Sequence, residues 1–153
     1  MALVIATLLN GLKGMVNNPD NFPDTFEQAA ANFADVINNY GSLVTPPSTT
    51  SAAAKAACSA QFIASKSKQS LDIIIDAVQA YCVALAPGMA PAFVGTPPPT
   101  TAALKTAIDA AGQVALNGGS ADAWAQAAAT VIDIYFRTGI AANVQTGVPV
   151  PWS

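Results

Sequence analysis

The chain has 153 residues, 52% of them hydrophobic, and a formal net charge of −3 carried by six basic and nine acidic side chains with no histidine. That is one ordinary domain with enough apolar material for a real core, which argues against intrinsic disorder; six scattered cations, of which only Lys66 and Lys68 are close neighbours, argue against nucleic-acid binding. The missing histidine removes Ser-His and Cys-His nucleophile pairs, imidazole bases and most transition-metal sites, so the expectation is a non-enzyme with no cofactor, metal or small-molecule substrate.

The charged fraction is 10%, against about 25% in typical soluble domains. A folded chain of this mass exposes roughly 7000 Å², and so few charges leave most of that area to small polar, backbone or apolar atoms. Such a surface is weakly defended against association. It suits a protein permanently covered by neighbours, or one that lives outside the cell.

In chain order, Leu3, Val4, Ile5, Leu8, Leu9, Leu12, Met15 and Val16 have helical spacing. The opening apolar run has no preceding basic residue and no small-residue cleavage pattern after it, so it reads as a helix and not a signal peptide. No uninterrupted run of 18 apolar residues occurs, and no membrane span is expected. Asn17 to Pro23 is a turn-rich break. Asp24 and Glu27 have the spacing of a capping box, and Phe26, Ala29, Ala30, Phe33, Val36, Ile37 and Tyr40 form one face of a second helix with Gly41 as its C-cap.

The chain then repeats itself. Thr45-Pro46-Pro47-Ser48-Thr49-Thr50-Ser51-Ala52 matches Thr96-Pro97-Pro98-Pro99-Thr100-Thr101-Ala102-Ala103 at six of eight positions. Each block sets a stiff segment and hydroxyl caps before an Ala-rich helix, and each is followed by a second apolar helical stretch, Leu71 to Leu85 or Ala121 to Thr138. The reading is two related helix–turn–helix units, residues 45–86 and 96–139. Asn117-Gly118-Gly119 before Ser120 marks the turn of the second. In the first, Ser65 to Ser70 is either a polar hinge or the exposed face of one long helix. A hairpin hinged there puts Cys58 and Cys82 at one level; a continuous helix separates them by roughly 36 Å.

Pro87 to Pro99 is a long Pro-rich connection, and after Gly139 the pattern becomes extended, with Val144, Val148 and Val150 alternating before Trp152. The fold class expected is all-α: a bundle of five to six helices over residues 1–139 with an extended C-terminal arm over 140–153. The arm either adds as a strand to a neighbour or packs across its own helices. Val144, Val148, Val150 and Trp152, with Phe93, Pro97 and Pro98 of the Pro-rich connection, are the candidate partner-binding residues.

Candidate chemistry is sparse. Asp72 and Asp76, one helical turn apart, could hold a hard cation, but Asp72 follows Ser70 closely, where a carboxylate favours the start of a helix; Asp122 after Ser120 repeats the arrangement. Asp133 and Arg137 are spaced for an intrahelical ion pair. Tyr40, Tyr81, Tyr135 and Trp124 have apolar neighbours at core spacing. Gly118-Gly119 lacks the lysine of a phosphate loop.

The run Ala127-Ala128-Ala129-Thr130-Val131-Ile132-Asp133-Ile134-Tyr135-Phe136-Arg137-Thr138-Gly139, followed by Asn143-Val144-Gln145-Thr146-Gly147-Val148, resembles a pattern in small virion structural proteins of tailed bacteriophages. There an Ala-rich helix runs into an Ile-Asp-x-Tyr segment and a Thr-, Val- and Gly-rich tail closes the chain. The likeness spans Trp124 to Trp152, and the N-terminal half has none. It implies a virion subunit of the tail, baseplate or neck, assembled in the host cytoplasm against other virion proteins and copies of itself, with no catalytic residue. The alternatives are a helical binding or adhesion module at a cell surface and a capsid-decorating protein.

Overall fold

Leu8 and Leu12 in the first helix, and Ala30, Phe33, Ala34, Ile37 and Tyr40 in the second, recur every three to four residues and are all buried. Apolar stripes of this kind need a partner along their length, and helices supply it to one another. The computed structural model describes residues 2–17, 23–68, 70–99 and 102–153. It is an all-α bundle of six helices with a small antiparallel sheet: α1 (Ile5–Asn17), α2 (Phe26–Gly41), α3 (Ser51–Ala64), α4 (Ser70–Leu85), a 3-10 turn (Ala86–Met89), β1 (Phe93–Thr96), α5 (Ala102–Leu116), α6 (Ala121–Phe136), β2 (Ile140–Asn143) and β3 (Pro149–Pro151).

Each helix packs on its neighbours in sequence, and α6 returns to α1, closing a ring of three hairpins: α1–α2, α3–α4 and α5–α6. Helices α3 and α4 start at Ser51 and Ser70, and α5 and α6 at Ala102 and Ala121, the same spacing as the Thr-Pro-Pro repeat. The C-terminal parts of α2, α4 and α6 meet in the core, where the Phe136 ring packs on Tyr40 at 5.1 Å and on Tyr81 at 5.9 Å. Their N-terminal parts converge at the other end, where Phe26, Ile73, Ile74 and Trp124 line one apolar cavity.

Each seam between hairpins carries one Lys–Asp pair: Asp35 with Lys55, Asp72 with Lys105, and Lys13 with Asp122. Exposed pairs of this sort contribute little, but the three together match each hairpin to its neighbours.

The first helical unit is a hairpin. Its polar stretch leaves the helix at Ser65, whose buried hydroxyl donates to Asp76 Oδ2 at 2.8 Å while Lys68 Nζ donates to the same oxygen at 2.5 Å. Gln69 lies outside the described residues, as do 18–22 of the first break and Thr100 and Thr101 of the second Thr-Pro block. Cys58 and Cys82 are both fully buried and unbonded. Burial pushes the Cys58 thiol up to about 12, and burial together with the neighbouring Cys58 raises the Cys82 thiol well above its ordinary value too.

Local details differ from the sequence reading in three places. The cap of α2 is Thr25, not Asp24. Its Oγ1 accepts the Gln28 N–H at 3.1 Å, and Gln28 Oε1 accepts the Asp24 N–H at 2.9 Å. Gly41 is the last helical residue and makes no left-handed turn; a Cβ there would stand 2.5 Å from the Tyr81 ring, so glycine serves the approach of α4 to α2. The hydroxyls of Ser48, Thr49 and Thr50 do not cap α3. They donate to the carbonyls of Leu85, Gly88 and Ala84, satisfying the open end of α4 and the turn after it. At α6, Ser120 caps as expected, its Oγ accepting the Ala123 N–H at 3.1 Å.

Asp72–Met89 is, among the described residues, the one stretch long and apolar enough to cross a membrane by composition. In the bundle it is α4 with the 3-10 turn that follows, and Tyr81, Cys82 and Leu85 in it are fully buried.

Candidate contact surface

The last stretch of the chain is extended, and it folds onto its own bundle. β2 pairs antiparallel with β1, Phe93 opposite Asn143 and Thr96 opposite Ile140, and with β3, Ile140 opposite Pro151 and Ala142 opposite Pro149. The C-terminus is stitched to the α2–α3 connection, where Thr45 and Ser153 exchange two backbone hydrogen bonds of 2.7 and 3.1 Å.

Trp152 anchors this return. It is fully buried, its N–H donates to the Gly139 carbonyl at 2.9 Å, and a Cβ on Gly139 would stand 2.4 Å from the indole. The indole N–H and the Tyr135 hydroxyl are buried without a protein partner. Each costs about 1–3 kcal/mol, which the burial of two large rings offsets.

Strand alternation divides the sheet into two faces. Phe93, Ala141 and Val150 turn inward and pack with the core. Val94 (61% exposed) and Ile140 (45%) turn outward, with Thr96, Pro149 and Pro151 beside them. At the β2–β3 turn, Val144 and Val148 are 57% and 55% exposed. No charged residue occurs in 86–99 or in 138–153; all fifteen charged side chains lie between Lys13 and Arg137. The outer face is therefore apolar and charge-free.

Of the residues expected to bind partners, Val144 and Val148 stand on the surface. Phe93, Val150 and Pro97 are half-buried, and Pro98 is buried. Trp152 is a core residue of this chain and offers no surface to another. The alternation of Val148 with Val150 does not place them together, because the turn ends between them and Val150 joins the inward set. Val94, Ile140, Pro149 and Pro151 went unnoticed in the sequence. The Thr146-Gly147 pair, read as a turn, would have split the tail into a hairpin and assigned them to one face.

The Asp133–Arg137 pair forms, with Nε to Oδ2 at 2.9 Å and Nη2 to Oδ1 at 3.0 Å. Tyr40 also donates to Asp133 Oδ1 at 2.5 Å, and Arg137 Nη2 reaches the Leu3 carbonyl at 3.0 Å. The network joins α2, α6 and the segment before α1. Burial alone would raise the Asp133 pKa, but the bonds from Arg137 and Tyr40 outweigh it and hold the carboxyl below the usual range. Burial and the neighbouring carboxylate drive the Tyr40 hydroxyl strongly upward. Asp133, Arg137 and Gly139, which carry the family-like pattern, thus all have structural work inside this chain. Asp72 and Asp76 each have their own lysine, Lys105 and Lys68.

No protein-family model, curated protein or solved structure matches the chain. The chain is an all-α ring of three hairpins capped at one end by a three-stranded sheet.

Proposed function

We propose that this protein is a non-enzymatic structural subunit of a bacteriophage virion, of the tail, baseplate or neck, and that it works through subunit contacts. The observation that carries the contact reading is the exposed outer sheet face around Val94 and Ile140, free of charge over two whole segments of chain. A charge-free apolar face is the part of a protein surface least defended against association. The particle itself rests on the resemblance of the Asp133–Gly139 segment and the tail after it.

Magnitude shapes the proposal. Three short strands at their usual spacings span roughly 200 Å². A stable two-body interface takes about 800 Å² from each partner. The face is thus one contact among several, as in a subunit with neighbours on more than one side. Further support comes from the state of the reactive groups: both thiols and three tyrosines are buried and held protonated, and none is an activated nucleophile.

The test is incorporation. Particles grown with Val94→Asp in place of the natural chain should lose the subunit while the isolated variant stays folded. Normal incorporation would remove the sheet face from the proposal. Copy number in purified particles separates a ring or tail component from a capsid-decorating protein.

A further inference from the structure

Building on the contact reading, we propose that copies of this chain associate head to tail, the Val144–Val148 tip of one copy entering an apolar groove of the next between α5 and α6. The groove holds about 270 Å³. Leu104 and Tyr135 are buried at its base, and Pro99, Thr138 and Ile134 (60% exposed) stand at its edge. Neither groove nor tip contains a charged residue.

Size agrees. A cavity of about 150 Å³ lined by aliphatic and aromatic side chains accepts benzene. The two valine side chains carry six carbons, as benzene does, and the groove has room for them together with part of the turn backbone. The tip is also held ready. Asn143 Oδ1 accepts the N–H groups of Gln145 and Thr146 at 2.9 and 3.0 Å, and Gly147 N–H donates to the Asn143 carbonyl at 2.8 Å. Presenting the valines therefore costs little ordering.

Position decides between the chain's own tip and another's. Thr138, at the groove, precedes β2, and Val144 follows it. The strand separates them by roughly 15–20 Å, so a chain cannot fill its own groove with its own tip. A contact between two different patches is heterologous, and its repetition builds a ring or a filament. Repulsion does not oppose it at the contact, because the net charge of −3 sits elsewhere.

Two variants and their mixture test this in sedimentation velocity up to about 1 mM, a range that captures weak contacts. The natural chain should form species beyond the dimer as concentration rises. Val148→Asp, with a spoiled tip, and Ile134→Asp, with a spoiled groove, should each associate at least roughly tenfold more weakly while melting at the natural temperature. Their equimolar mixture should form one-to-one dimers and nothing longer, because one good tip and one good groove remain. A natural chain that stays monomeric, or a mixture that stays monomeric while the natural chain assembles, overturns the head-to-tail contact. If Val94→Asp alone blocks assembly, the tip and groove fall and the sheet-face reading survives.

Discussion

The two ends of the bundle are built by opposite chemistry. At the end where α2, α4 and α6 begin, Glu27, Asp72 and Asp122 each occupy the first turn of one helix, where a carboxylate offsets the helix dipole. Lysines pair with two of them. At the end where the same helices finish, no lysine or arginine lies in the last turn, and the open carbonyls of α4 are met by hydroxyls of the α2–α3 connection. Beyond them comes a sheet with no charged residue. One end is suited to water, and the other meets its open helix carbonyls from within the chain and shows apolar side chains outward. The asymmetry favours the sheet face as the proposed contact surface, since low charge averaged over the whole chain hides that the sheet itself carries none and that the charges beneath it, Asp133 and Arg137, are paired with each other.

The comparison can be broken most strongly at Trp152. If the returning tail is part of the core, Trp152→Ala should lower unfolding stability by about 3 kcal/mol or more, read by denaturant titration. A free arm would lose almost nothing. Next in size is the network beneath the sheet end. Asp133→Ala should cost about 3 kcal/mol, because Arg137 and Tyr40 lose their shared partner. The acid limb gives the sign. The folded carboxyl binds its proton less readily than the unfolded one, so its contribution is present above the unfolded value near pH 4 and is lost as pH falls through the lower folded value. Asp133→Asn should flatten stability against pH in that window.

A smaller effect is expected at the hydroxyl cap. Thr50→Val leaves the Ala84 carbonyl without its side-chain donor and should cost about 1 kcal/mol, with faster amide exchange in the last turn of α4. The smallest effect belongs to the hairpin seams. Lys55→Ala removes an exposed pair with Asp35 and should change stability by a few tenths of a kcal/mol, less still in high salt. A loss near that of Trp152→Ala would mean that the seams, and not the core, hold the ring together.

Much of this fold could be read in the sequence because helices advertise themselves locally. The apolar spacing of Phe33, Ile37 and Tyr40 and the Ser120 cap need only neighbours in the chain, and the Thr-Pro repeat pointed to two related units, with the turn legible in the second and left open in the first. The missed features depend on residues far apart. Tyr40 meets Asp133 across 93 positions, and Thr50 caps a helix end 34 positions later. Gly41 and Gly139 look like turn residues until Tyr81 and Trp152 are seen against them. The tail could be read either as a reaching arm or as one packed on its own helices, because its strand partner, β1, lay hidden in a Pro-rich connection. Ala141, Val150 and Trp152 of the tail therefore face this chain's own core, and the outward residues of the sheet, Val94 and Ile140 among them, form the candidate surface.

The most direct measurement is carbene footprinting of the free chain and of the same chain within purified particles. Residues 93–96 and 140–151 should label strongly in the free chain on their outward side chains and lose that labelling in the particle, while the helix starts around Glu27 and Asp122 stay as reactive as before. Equal labelling of the sheet face in both states, or protection confined to the charged end, would contradict the assignment of the sheet as the surface through which this protein works.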